Sequence, residues 1–145
     1  MTATSSTHAA PVPSIRRGVW GNRLLWTLQI LLALVFLAHG ALMLFPPAAV
    51  AEQMNAVLPR WFQLFIGVAE ILAAVGLTVP PITGIQPGLV AWAAGGLMIV
   101  MVSATIFHLT RGEISSAATT VVLLAMATTV ALARRQPRDR TYSGD

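Results

Sequence analysis

Cysteine and lysine are both absent from this chain of 145 residues. Without cysteine there is no disulfide, no thiol redox chemistry and no thiolate metal site. Charge is scarce as well, at 10% of residues against roughly 25% in a soluble domain. Hydrophobic residues reach 56%, more apolar surface than a soluble fold of this length can hide. All nine basic residues are arginine, and they sit at the ends of apolar runs rather than on one face. The net charge of +4 therefore marks membrane topology, not nucleic-acid binding, for which a stacking platform is also lacking.

Four apolar runs fill the chain and set the expected fold, an all-α integral membrane four-helix bundle. The spans are expected at about 22–45, 61–79, 86–109 and 114–133, each near the roughly 20 residues that cross a bilayer core. Residues 1–19, rich in Ser, Thr, Ala and Pro, are expected to be a disordered tail, and 135–145 a polar one. Ala49-Val50-Ala51 resembles a signal cleavage site, but the run before it exceeds the 7–15 residues of a signal core. It is therefore expected to stay as the first span, capped by Asn22 and closed by Pro46-Pro47.

Val50, Met54, Val57 and Leu58 recur at helical spacing, which predicts a short amphipathic helix on the membrane surface. The second span is expected to stop before Pro80-Pro81 and the third to follow a tight turn at 82–87. Gly95-Gly96 reads as close helix packing, because no strand precedes it as a phosphate loop requires. Gln29 and Thr27 read as interfacial. Arg16, Arg17, Arg23, Arg134, Arg135, Arg138 and Arg140 lie on one side, with only Arg60 and Arg111 opposite. That asymmetry predicts both termini in the cytoplasm and a multi-pass protein of the bacterial cytoplasmic membrane.

Three ionisable groups fall inside the spans: His39, Glu70 and His108. Glu70 stands about 14 Å along its helix from Trp61, near mid-membrane, where an ionised carboxylate costs several kcal/mol. It should be protonated or hydrogen-bonded to a partner. Gln63, Gly67 and Glu70 share one helical face, as do Met101, Thr105 and His108. Short loops make neighbouring spans antiparallel and bring both faces and His39 into the outer half. One cavity there is the expectation, with His39, Glu70 and His108 as catalytic candidates and Gln63, Gly67, Met101 and Thr105 lining it. The blander reading is that each polar group is interhelical glue. Axial haem ligation by the two histidines, or a three-ligand metal site with Glu70, lacks any local ligand spacing in support, and no metal is assigned.

The run Ala38-His39-Gly40-Ala41-Leu42-Met43-Leu44-Phe45-Pro46, the run Phe65 to Leu72 with Gly67 and Glu70, and Gly76-Leu77-Thr78-Val79-Pro80 together resemble the DoxX-like family. Leu97 to Glu113, with its Phe107-His108 and Arg111-Gly112-Glu113, is similar to that family too. The resemblance covers about residues 20–133 and implies a four-span bacterial bundle. It implies a link to quinone-reducing or other membrane oxidoreductase assemblies, and it matches Glu70 to the family's acidic position in the second span. A lysine that commonly follows the first-span glycine by three places is Met43 here, so no lysine–Glu70 charge pair forms.

The residues and the resemblance together lead to a protein that holds a small lipophilic molecule, a quinone being the class that fits, as membrane subunit of a redox assembly. In that reading His39 and His108 bond its carbonyls and Glu70 exchanges a proton. No resident cofactor is assigned beyond that quinone. Lipid, a redox partner protein or a second copy are the expected partners. The rival readings are a self-contained acid–base enzyme, such as an isomerase or epoxide-opening enzyme, and a non-enzymatic scaffold or permease.

Overall fold

The computed structural model describes residues 19–86 and 88–135. Nearly all of both expected tails, with Arg16, Arg17, Arg138 and Arg140, lies outside the described residues. Five helices follow in order: α1 Val19–Leu44, α2 Ala48–Val57, α3 Arg60–Thr83, α4 Leu89–Thr110 and α5 Ile114–Arg134. All but α2 are long and apolar enough to cross a membrane. The fold is an all-α membrane bundle. α1 packs on α3 and α4 on α5, the two pairs join through α3 and α4, and α1 meets α5 more lightly.

The buried positions explain the packing. On α3 they are Gln63, Gly67, Glu70, Ala74, Leu77 and Pro80, in steps of four and three. α4 repeats the pattern with Val90, Ala94, Leu97 and Met101. This 3.5-residue repeat keeps one narrow seam facing the neighbour, as in left-handed bundles. The apolar core gathers Leu32, Phe36, Ala74, Leu77, Leu97 and Ala127 with their neighbours. Outside it, Leu34, Phe65, Leu72, Trp92, Ile99 and Val122 are exposed. On a chain of this kind that surface faces acyl chains.

In lipid, close backbone contact substitutes for the hydrophobic drive between helices. The tightest crossing pairs Gly40 of α1 with Gly67 of α3. A Cβ on Gly40 would stand 2.8 Å from the Gly67 carbonyl oxygen, and one on Gly67 would stand 2.9 Å from that of Gly40. The expected role of Gly95-Gly96 is corrected here: a Cβ at either would meet nothing within 4 Å. Close approach of α3 to α4 occurs instead at Gly76, where a Cβ would stand 2.8 Å from that of Ala93.

The ends of the spans depart from expectation for physical reasons. α1 begins at Val19, so Asn22 lies within the helix and does not cap it. α3 does not stop at Pro80-Pro81 but runs through both to Thr83, ending at Gly84 in the left-handed region with φ 72°. Two prolines remove the amides that would bond the Gly76 and Leu77 carbonyls. Gln29 restores the second of these bonds, its Nε2 donating to the Leu77 oxygen at 2.9 Å. Its Oε1 accepts from Arg134 Nε at 2.8 Å. Gln29 is therefore not interfacial: it is fully buried and joins α1, α3 and α5. Thr27, by contrast, is exposed and bonds the Arg23 carbonyl of its own helix. Gln29→Leu should cost about 1–3 kcal/mol by orphaning the Leu77 carbonyl. Adding Pro81→Ala returns an amide to that oxygen, so thermal unfolding in detergent should show the double variant recovering stability over the single one.

At the opposite end Arg60 closes α1. Its guanidinium donates to the Met43 carbonyl at 2.8 Å and to the Leu44 carbonyl at 2.6 Å. These are among the last four carbonyls of α1, which have no partner within the helix, and a cation also suits that negative dipole end. α2 forms as expected, with no buried residue, and Leu58 lies just beyond it. Asn55 ties it to the bundle through a 3.0 Å bond from Gln63.

Candidate functional site

At its centre the site rests on two residues from adjacent helices. His39 Nδ1 of α1 lies 2.6 Å from Glu70 Oε2 of α3. The Gly40–Gly67 crossing sets this distance, since Gly40 adjoins His39 and Gly67 lies one turn from Glu70. At about 1.5 Å per residue, the His39 Cα lies about 8 Å and that of Glu70 about 15 Å below the α2 end of the bundle. Helical side chains lean toward their own N-terminus, so the two lean toward each other and meet at about 10 Å.

The pair is asymmetric in its surroundings. The Glu70 side chain is 2% exposed, whereas that of His39 is 45% exposed. No ligand can lie against the carboxylate, and the imidazole is the open side. A net charge is costly at this depth, so the pair is held neutral overall. With one proton between them, either a carboxylic acid donates to Nδ1 or an imidazolium Nδ1–H donates to a carboxylate. In both arrangements the second ring nitrogen, Nε2, keeps its hydrogen and presents a donor away from Glu70.

His108 belongs to a different group. Its Nδ1 lies 2.6 Å from Glu113 Oε2, and Arg111 Nε donates to Glu113 Oε1 at 2.7 Å. The Arg111 hydrogen bond first, and that of His108 second, hold the Glu113 carboxyl below its ordinary range. Arg111 also stacks over Phe107, its guanidinium carbon 5.5 Å from the ring centre. The cluster closes the turn between α4 and α5.

The structure thus joins His39 to Glu70 and bonds His108 elsewhere. Gln63 spends its amide on Asn55 and the Leu58 carbonyl, and its oxygen accepts from Arg60. Gly67 makes the helix crossing, and Met101 lies in the apolar core. Thr105 meets Thr120 of α5, oxygen to oxygen at 2.8 Å. Two grooves, of about 280 and 190 Å³, run along α3 toward α4 and α1, and neither is lined by His39, Glu70 or His108. Among the described residues no three metal-ligating side chains gather.

Sequence reading gave Gly40, Gln29, Arg60 and Thr120 none of the contacts between helices that they make. Gly40 had a signal, standing next to His39, and so did Gln29, because Pro81 strips the Leu77 carbonyl of its donor. Nothing local marks Thr120.

Four apolar spans, with a half-open imidazole held against a buried carboxyl group between two of them, define a small polytopic membrane protein. A family model described as the DoxX-like family matches residues 27–130. The chain belongs to that family, and His39, Gly40, Gly67 and Glu70 all lie in the matched region. No curated protein and no solved structure matches it.

Proposed function

We propose that the protein binds a small lipophilic carbonyl compound, a quinone, at His39, and exchanges protons with it through Glu70 as the membrane subunit of a redox assembly. The observation that carries this reading is the 2.6 Å contact of His39 Nδ1 with Glu70, which leaves Nε2 as the half-open side of the pair, at a depth where ring headgroups of membrane quinones can lie. A hydrogen bond from Nε2 gains strength where water is scarce. Reduction of a bound quinone takes two electrons and two protons. In this reading a partner protein of the assembly supplies the electrons. One proton leaves Nε2 as Glu70 gives its own to Nδ1, and the second follows once Glu70 is reprotonated and the imidazole ring turns over to bring its remaining N–H to the quinone.

The roles are narrower than the sequence suggested. His39 donates to one carbonyl and Glu70 recharges it, while Gln63 and Gly67 hold α1, α2 and α3 in register. Arg23, Arg134 and Arg135 at one end, against Arg60 and Arg111 at the other, support a cytoplasmic-membrane protein with cytoplasmic termini. α2 then lies on the outer side.

Binding of a short-tailed benzoquinone to the protein in lipid nanodiscs, read by tryptophan quenching, tests the assignment. His39→Phe keeps an aromatic side chain and deletes the donor, so affinity should fall at least tenfold, about 1.4 kcal/mol. Equal affinity in the two proteins would overturn it.

A further inference from the structure

Resting on the assigned site, we infer that a hydroxyl and imidazole relay through Thr105, Thr120 and His108 connects the His39–Glu70 proton to the α2 face of the membrane only. Two observations carry the inference. First, all four spans contribute polar groups at one level. Counting about 1.5 Å per residue from the α2 end, the Thr105 and Thr120 oxygens lie about 8–9 Å deep, and the His39–Glu70 contact about 10 Å. Thr120 and Glu70 are both buried, and their helices turn these positions inward with the rest of their packed seams. His108 stands three residues beyond Thr105 on the same face of α4, about 3 Å deep, bonded to Glu113 at the surface.

Second, the threonine pair has fewer protons than acceptors. Thr105 Oγ1 is 2.7 Å from the Met101 carbonyl, Thr120 Oγ1 is 2.8 Å from that of Ala117, and the two hydroxyls are 2.8 Å apart. Each hydroxyl carries a single hydrogen. Two hydrogens shared among three short contacts let each hydroxyl rotate from one acceptor to another without passing through an unbonded state. A proton entering on one lone pair is matched by another leaving the same oxygen. One O–H or N–H bond forms and one breaks at each hop, and no hydroxyl is left charged. The relay requires a bridging water between the threonines and Glu70.

The other direction is closed. Below the polar level come Phe36, Met101, Leu32, Leu97, Ala127 and Ala74, all buried and apolar. They occupy depths of about 12–21 Å, before the Gln29–Arg134 group is reached. The site therefore draws and returns protons through the Glu113 end.

The test needs no quinone. In lipid bilayers, hydrogen exchange of the proton shared by His39 Nδ1 and Glu70 is followed by nitrogen-15 magnetic resonance, the signal assigned with His39→Gln. Thr105→Val with Thr120→Val keeps side-chain shape and removes both hydroxyls, and exchange should slow at least tenfold. Thr105→Ser with Thr120→Ser should restore the native rate, and Thr78→Val, on the opposite side of the pair, should leave it unchanged. His108→Phe interrupts the relay nearer the surface and should slow exchange even if the valine pair does not fold. Native rates in the valine pair or in His108→Phe would mean that the threonines only pack α4 on α5, overturning the relay. Absent quinone binding with slowed exchange would sink the assigned ligand and leave the relay standing.

Discussion

Gly67→Val should destabilise the packing of α1 on α3 and separate His39 from Glu70 without altering either residue. Even the Cβ of an alanine would stand 2.9 Å from the Gly40 carbonyl oxygen and 3.0 Å from Met43 Cβ and Leu44 Cγ. The first of these is backbone and cannot rotate away, so α1 must move bodily. Overpacking of this kind costs about 1–3 kcal/mol, and the branched valine should lie at the upper end. Gly96→Ala is the matched control, since nothing lies within 4 Å of its Cβ position. It should be neutral or stabilising by at most about 1 kcal/mol through helix propensity. Thermal unfolding in detergent ranks the three proteins, and the His39 nitrogen-15 signal reports whether the pair survives. A Gly67→Val protein as stable as Gly96→Ala would refute the crossing as the element that sets the site.

A double-mutant cycle on the pair itself carries the second large effect. His39→Phe leaves the Glu70 carboxyl buried with no imidazole, which should cost about 3 kcal/mol or more. Glu70→Leu removes the buried group and leaves a half-open imidazole, a smaller loss. The combined His39→Phe, Glu70→Leu protein replaces an expensive polar pair by apolar side chains and should recover most or all native stability. Quinone affinity should nevertheless be lost in both proteins that lack His39. Recovery of stability without recovery of binding separates a site kept for its chemistry from one kept for packing. Strictly additive losses in unfolding free energy would show that the two residues are not coupled at all.

What could be read from residues alone follows from which interactions are local. Four long apolar helices and a short helix between the first two depend on short-range composition, and the structure has both, the short one at Ala48–Val57. Glu70 was legible as the exceptional group because its depth follows from counting residues. The partner of His39 was not, because spacing gives the face of a helix but not its rotation against a neighbour. That rotation is fixed by two glycine backbones touching across α1 and α3. The His108–Glu113 bond spans five residues around a turn and was within reach, but His108 was read by its helix face instead. Pro80-Pro81 misled for a related reason: proline ends a helix when its lost bonds have no substitute, and Gln29, 48 residues from Leu77, supplies one of them.

The staple from Arg60 to the end of α1 and the bond from Arg134 to Gln29 also bear on how the chain is built during synthesis. The first helix leaves the ribosome with its final carbonyls open, and they close only once the residue opening α3 has emerged. The Oε1 of its buried Gln29 waits far longer, until the last residue of α5 arrives. An early closure ties the first hairpin together and a late one locks the finished ring, so biogenesis has a defined beginning and a defined last step.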